Sequence, residues 1–181
     1  MSRQLQLSNM TSPNRFPLIF ESAKMLKQDA KRILSFGCST GEECFSLAET
    51  FPHAEIVGVD LSYYSIQTAR RNNKYGDRVS FHDVLPGTGK YDLATCLMVL
   101  FALDNPITFD AWNEALTEVD RHLNLDAMLM IYTSDHAFEK SSVSLNYEPE
   151  RTWTRIHEKN NKEYFCGYYK KNNETFDGGK K

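Results

Sequence analysis

The sequence predicts an α/β fold built on a doubly wound, largely parallel sheet. Compact apolar runs alternate with helical segments between residues 13 and 133. Turns or carboxylates follow several of these runs, where a strand would end. The composition, 41% hydrophobic and 12% aromatic over 181 residues, suits one domain with a sizeable core. Because strands that alternate with helices pair in parallel through crossover connections, we interpret residues 1–181 as a single α/β domain.

The first half of the chain predicts helices that alternate with short buried strands. Apolar residues recur at helical spacing in residues 13–27, with Pro17 in the first turn, which predicts an amphipathic helix there. Thr40 and Glu43 have the spacing of a capping box. The elements that follow are a strand at Arg32–Phe36, a helix at Glu42–Thr50, a strand at Glu55–Val59, a helix from the Ser62 cap through Asn73, and a strand at residues 78–81.

The second half predicts two more parallel strands and then a hairpin. Residues 91–99 and 127–133 are the strands, and Asn105 and Pro106 predict the start of a helix that runs to about Leu123. Only residues 159–162 separate the strand-like segments 152–158 and 163–170, so this pair is predicted to be antiparallel. Residues 172–181, with two glycines and two terminal lysines, predict a disordered tail.

Charge and cysteine usage exclude several classes of protein. The formal charge is 21 − 24 = −3, which favours neither nucleic acid nor an anionic membrane as partner. The four cysteines show no CxxC spacing, so no metal site is expected. The N-terminus has no apolar signal region, and the longest apolar-rich stretch, residues 93–103, is too short to span a membrane. We therefore expect a cytoplasmic protein without disulfides.

Three features stand where a doubly wound sheet binds ligands, at the carboxyl ends of its strands. The turn from Gly37 to Gly41 lets a ligand approach the backbone. Asp60 ends the second strand and can accept hydrogen bonds from two ribose hydroxyls, and Asp83 follows the third strand, where an adenine amino group can lie. Each has a simpler interpretation: a strand-to-helix turn, a helix N-cap and a solvated turn residue. Together they predict a site for an adenosine-containing ligand.

The loop sequence favours a ligand without phosphate. The middle glycine of a dinucleotide fingerprint is Ser39 here, and Gly41 is followed by Glu42 and Glu43. Two carboxylates at a helix start repel a pyrophosphate. They suit S-adenosylmethionine (SAM), which carries an ammonium and a sulfonium. A nicotinamide-dependent oxidoreductase is disfavoured on the same grounds.

Residues 33–62, ILSFGCSTGEECFSLAETFPHAEIVGVDLS, resemble motif I and the following acidic motif of class I SAM-dependent methyltransferases. Within them, CSTGEECFSLA is similar to the nucleotide loop of chemotaxis-receptor (CheR-type) methyltransferases. The general resemblance covers about residues 32–135 and implies a Rossmann-like sheet in the order 3-2-1-4-5-7-6, closed by the antiparallel hairpin. It also implies that residues 1–27, a helical segment, and 134–152 form a lid.

The resemblance implies a cofactor site. Ser35 stands where an acidic residue is usual, so Glu43 or Glu42 would serve the SAM ammonium instead, unless they are only first-turn helix charges. The other implied contacts are Gly37, Cys38, Ser39 and Gly41 around the methionine portion, Asp60 with Leu61 at the ribose, Asp83 and Val84 at the adenine, and residues 96–98, beginning with Cys96, on the methyl-transfer side.

We therefore expect a SAM-dependent methyltransferase that acts on a small molecule. The alternative is a regulatory, non-catalytic module on the same fold. No catalytic base stands out, because methyl transfer needs one only if the nucleophile is protonated. His136 is a weak candidate, with a solvated loop histidine as the alternative. Trp153, Arg155 and His157 share one strand face, for which packing or solvent contact is favoured over substrate contact. The acceptor and the oligomeric state are not predicted.

Overall fold

Seven strands form one mixed sheet in the order 3-2-1-4-5-7-6, as the resemblance implies. The structure is a computed structural model in which residues 11–87, 89–103, 105–158 and 161–172 are described. The first five strands are parallel, and the seventh is antiparallel to both of its neighbours. The strands are β1 (Arg32–Phe36), β2 (Glu55–Val59), β3 (Val79–His82), β4 (Tyr91–Leu100), β5 (Leu123–Ser134), β6 (Tyr147–His157) and β7 (Lys162–Lys171).

Four helices cover the two faces of this sheet, with an apolar core on each side. They are α1 (Pro17–Leu26), α2 (Glu42–Thr50), α3 (Tyr63–Asn72) and α4 (Phe109–Arg121). The helices α1 to α3 contribute to one core and α4 to the other, where the fully buried Trp112 donates a 2.8 Å hydrogen bond to Ser134 Oγ. Because strands β1 and β4 are buried on both faces, their nearly continuous apolar sequences follow from the fold.

Several element boundaries differ from the sequence prediction. Helix α1 begins at Pro17 rather than at residue 13, and strand β5 begins at Leu123 rather than at residue 127. Helix α4 begins at Phe109 rather than at Asn105 and Pro106, because Thr108 is its N-cap and accepts a 3.4 Å hydrogen bond from the backbone N–H of Ala111. Strand β6 starts at Tyr147, five residues before the predicted hairpin arm. Residues 1–10 of the expected lid, residues 159 and 160 of the hairpin loop, and residues 173–181 of the expected tail lie outside the described residues.

The loop between β4 and α4 is fixed by one buried carboxylate at the end of β5. Asp135 Oδ2 accepts hydrogen bonds from the backbone N–H groups of Ala102 and Ile107, at 2.9 and 3.0 Å. Its Oδ1 lies 2.5 Å from the ammonium of Lys162 on β7. The Asp135 side chain is only 1% exposed, so solvent screens this pair weakly. Asp135 thereby links the end of β5 to the β4–α4 loop and to the start of β7, at the carboxyl edge of the sheet.

We expect Asp135→Asn to lower the free energy of unfolding by about 2 kcal/mol, because an amide replaces a buried, hydrogen-bonded charge. Urea denaturation at neutral pH measures this. The control is Asp126→Asn: Asp126 pairs with Lys170 at 3.6 Å, but both side chains are more than 40% exposed. This surface pair is expected to contribute less than about 1 kcal/mol. Equal losses in the two variants would contradict the assigned role of Asp135.

The four cysteines are buried and unpaired. In the described part of the chain, no helix has both the length and the apolar character needed to cross a membrane.

Candidate active site

A cavity of about 750 Å³ opens at the carboxyl ends of the parallel strands. This is the edge at which open α/β sheets bind their ligands. Its walls come from the β1–α2 loop, the ends of β2, β4 and β5, the N-terminal residues 11–20, helix α4 and the β6–β7 hairpin. The cavity is therefore large enough for a nucleoside-sized ligand together with a second molecule.

The β1–α2 loop is pinned against the end of β2. The backbone N–H groups of Gly37 and Cys38 both donate to the carbonyl oxygen of Val59, at 2.7 and 3.0 Å. Gly37 has a φ of +81°, and a Cβ atom added there would lie 2.4 Å from Val99 Cγ2. The side chain of residue 37 must therefore be absent for β1 and β4 to approach each other. Ser39, also in the left-handed region with a φ of +50°, continues the loop along the cavity wall.

The predicted capping box at the start of α2 is wrong. The N-cap is Gly41, with a φ of +97°, and no side chain caps this helix start. Thr40 Oγ1 donates to Glu42 Oε2 at 2.6 Å instead, and the Glu43 side chain points away from the cap. Glu43 is drawn inward because two hydroxyl groups on the strands bind its carboxylate.

The Glu43 carboxylate lies in the cavity wall between β1 and β4. Its Oε1 accepts hydrogen bonds from Ser35 Oγ at 2.8 Å and from Thr95 Oγ1 at 2.5 Å. Burial raises the pKa of Glu43 from 4.5 to about 7, although both hydroxyls and the positive charge of Arg15 act in the opposite direction. Glu43 is therefore not a solvated helix charge. It suits a cationic group of a ligand, which would stabilise the ionised form.

Asp60 links the loop to the start of α3. Its Oδ2 accepts a 2.9 Å hydrogen bond from the backbone N–H of Ser39, and its Oδ1 accepts a 2.8 Å bond from that of Ser62. The N-cap of α3 is Ser62, whose side chain accepts from Ser65 at 3.3 Å. Asp60 is thus not the helix cap, and it also lines the cavity. Its carboxylate is held at the end of β2, beside the β1–α2 loop.

The other predicted cofactor contacts divide into two groups. Cys38, Leu61 and Val84 line the cavity. Gly41 is buried below the loop, Asp83 is exposed outside the cavity wall, and Cys96 is fully buried in the core beneath α4. At the end of β4, where the strand pairing becomes irregular, the cavity is lined by Leu97, Met98 and Val99 rather than by Cys96. Burial raises the pKa of the Cys96 thiol, which makes it an inert core residue.

The histidine predicted as a weak base candidate lies away from the cavity. A ring nitrogen of His136, Nε2, is 2.8 Å from the carbonyl oxygen of Ile107. Its ring contacts Phe109 and Trp112 edge-on, with centroid distances of 5.6 and 5.2 Å. His136 is thus a structural residue at the start of α4.

A different set of polar residues faces the cavity from the β5–β7–β6 side: Thr133, Arg155, His157 and Tyr164. The alternation of Trp153, Arg155 and His157 on one strand face was the signal for this wall. Packing or solvent contact was favoured for that face, and Trp153 does pack, with its ring 5.0 Å from that of Tyr168. Arg155 and His157, nearer the carboxyl edge of the sheet, line the cavity instead.

The seven-stranded sheet with its antiparallel β7, and a cavity at the carboxyl ends of β1, β2 and β4, define the class I SAM-dependent methyltransferases. A family model described as a methyltransferase domain matches residues 4–165. The chain belongs to this methyltransferase domain family, whose members take the methyl group from SAM.

Known proteins with similar sequences or structures agree with this assignment. A malonyl-[acyl-carrier protein] O-methyltransferase of Legionella pneumophila is 33% identical over 119 residues, 64% of this chain and 40% of that protein. The chain thus spans less than half of this relative. The N-methyltransferase NodS of Bradyrhizobium japonicum, in complex with S-adenosylhomocysteine (SAH), superposes with a TM-score of 0.63 at 12% identity over 88% of this chain and 89% of NodS. The plantazolicin methyltransferase BpumL, with SAH, gives 0.60 at 11% identity over 85% and 81%.

Proposed function

We propose that the chain binds SAM in this cavity and transfers its methyl group to a small-molecule acceptor. The observation that carries the proposal is the pairing of two carboxylates, Asp60 and Glu43, on one cavity wall with the glycine loop between them. These two carboxylates suit a ligand that carries a diol and a cationic amine but no phosphate. SAM supplies a methyl carbon bonded to a sulfonium, which a nucleophile can displace.

The residues of the chain position the reactants and exclude water. Asp60 orients the ribose of SAM and Glu43 binds its ammonium. The backbone at Gly37 leaves room for the part of SAM that joins these two groups. Leu97 and Met98 at the end of β4, with Phe16 and Phe20 from the N-terminal segment, provide apolar surface in the same cavity. Positioning and water exclusion can supply most of the rate of an in-line displacement, so the donor side needs no further acid or base.

The small-molecule acceptor is supported by the size of the cavity and by the formal charge of −3. The Legionella relative is named for an acceptor carried on acyl-carrier protein. A screen for the acceptor should therefore include free small molecules and the same groups linked as thioesters to a carrier protein. Production of SAH is the signal to follow, because it does not depend on the acceptor.

Calorimetric titration with SAH tests cofactor binding. We expect binding in the micromolar range, no binding of NADH, and a weakening of roughly ten- to a hundredfold in Asp60→Asn, because a charged acceptor of two hydroxyls becomes a neutral one. Asp126→Asn, at an exposed ion pair remote from the cavity, is the matched control and should bind SAH as the wild type does. Absence of SAH binding to the wild-type protein would overturn the proposal.

A further inference from the structure

One wall of the cavity carries polar atoms that the protein itself does not satisfy. Thr133 Oγ1, His157 Nδ1 and Tyr164 Oη are shielded from bulk water and have no hydrogen-bond partner among the described residues. All three residues also line the cavity, and they come from the adjacent strands β5, β6 and β7. The imidazole of His157 lies edge-on to the ring of Tyr164, with 6.3 Å between centroids. Buried polar groups without partners are costly, and three of them at one cavity wall point to a ligand.

The backbone beneath this wall is strained where β4 and β5 end. Met98 has a φ of +62° and Thr133 a φ of +65°, in the left-handed region that favours glycine. Both residues lie within irregularities of strand pairing, at residues 97–100 and 131–134, and both line the cavity. Strained non-glycine residues persist where the surrounding structure holds them, often at functional sites. Here both strained residues lie at strand ends that line the cavity.

This wall carries the cation of Arg155, and its remaining surface is aromatic. Arg155 donates to the hydroxyl of Tyr132 and lies 5.4 Å from the centre of that ring. Lys162, whose charge is paired with Asp135, lies 5.2 Å from the ring centre of Tyr164. Phe101 meets Tyr164 edge-on at 5.4 Å. The carboxylates of the donor side, Glu43 and Asp60, come from α2 and from the end of β2, whereas this wall comes from β5, β6 and β7. An uncharged aromatic hydroxyl therefore fits this wall better than an amine does.

We infer that the wall formed by Thr133, His157 and Tyr164 is the acceptor subsite, that the acceptor carries a phenolic hydroxyl, and that the imidazole of His157 receives its proton. In the reaction, the acceptor oxygen forms a bond to the methyl carbon as the carbon–sulfur bond breaks. The sulfur keeps the electron pair of that bond, and the hydroxyl proton passes to His157 and then to water. The products are an aryl methyl ether, SAH and a proton. The inference rests on the proposed function, since it assumes the methyl donor beside Glu43 and Asp60.

The test uses binding rather than turnover, because the natural acceptor is not identified. Protein labelled with ¹³C in its histidine rings is saturated with SAH and titrated by NMR with phenol, anisole, benzoate and benzylamine. The His157 signal is assigned by its loss in His157→Asn. We expect phenol to shift this signal and anisole, which lacks the proton, to shift it less. Tyr164→Phe should weaken phenol binding about tenfold through loss of one hydrogen bond to the ligand.

The control variant for the tyrosine is Tyr91→Phe. Tyr91 Oη is likewise buried without a partner among the described residues, but Tyr91 does not line the cavity. The Tyr91→Phe variant also removes a buried hydroxyl without a partner, but it should leave phenol binding unchanged. His53→Asn, at an exposed site, is the control for the histidine.

Three results separate the outcomes. A shift of the His157 signal by benzoate or benzylamine in place of phenol would overturn the hydroxyl acceptor. No shift with any of the four probes, in protein that still binds SAH, would overturn the subsite while leaving the proposed function intact. Failure of the wild type to bind SAH at all would overturn the proposed function, and the inference with it.

Discussion

Gly37→Ala is expected to lower the free energy of unfolding by about 3 kcal/mol, the sum of left-handed backbone strain and an overpacked contact. A Cβ atom at residue 37 would lie 2.4 and 2.6 Å from Val99 Cγ2 and Cβ, well inside van der Waals contact. Because Val99 belongs to β4, the loop must move away from the strand. Gly37 also lines the cavity, so SAH affinity should fall by at least about tenfold. Chemical denaturation and calorimetry measure the two effects.

Gly76→Ala is the control for the backbone part of this effect. Gly76 has a φ of +60°, but nothing lies within 4 Å of an added Cβ atom there. Its substitution should cost only the strain of the left-handed backbone, about 1 kcal/mol, and leave SAH binding unchanged. If the two variants were equally stable, the close contact between Gly37 and Val99 would not limit this loop.

SAH affinity is expected to rise about tenfold between pH 6 and pH 8 and to lose this dependence in Glu43→Gln. With a pKa of about 7, roughly a tenth of the Glu43 side chains are ionised at pH 6 and nine tenths at pH 8. Only the carboxylate attracts the ligand ammonium, so the protein must release a proton on binding at pH 6. Calorimetry at several pH values, in buffers with different heats of ionisation, measures both the affinity and the proton release.

The same carboxyl group should make the unliganded protein less stable as the pH rises. Its folded-state pKa, about 7, is above the ordinary 4.5, so the folded state holds this proton more tightly. The stabilisation is complete below about pH 4.5 and is lost as the pH rises through 7, by up to about 3 kcal/mol. Glu43→Gln should not show this loss. Glu42→Gln, one residue earlier and bonded to Thr40, is the control that keeps it.

The sequence predicts elements best where local and tertiary signals agree. β1, α2 and β2 occupy the predicted residues, since short apolar runs and turn residues mark each boundary. The start of α4 was wrong because Asn105 and Pro106 form a good local helix start. The structure keeps Ile107 buried and outside the helix, with its N–H bonded to Asp135, so the helix begins at Phe109, three residues after Pro106. No local pattern reports a partner 28 residues away.

The candidate site was predictable only in its donor half. Glycines and carboxylates at strand ends can be recognised from the neighbouring sequence. Asp60 and Glu43 lie at the cavity, as the motif implies. The acceptor half depends on how the hairpin folds back over β5. Strand alternation placed Arg155 and His157 on one face, but it could not show that this face meets the cavity. His136, which follows β5 directly, packs against Phe109 and Trp112 and does not line the cavity.

The outer strand β6 also decides how the protein meets its own copies. An edge strand offers unpaired backbone groups on which a second chain can extend the sheet. Here Pro149 lacks an N–H group, the pairing shifts between residues 149 and 151, and exposed Glu148, Glu150 and Arg151 surround that point. Proline, irregular pairing and charge are the features that keep edge strands from templating aggregation. The strand that carries Arg155 and His157 to the cavity is thus protected along its first half against intermolecular sheet growth.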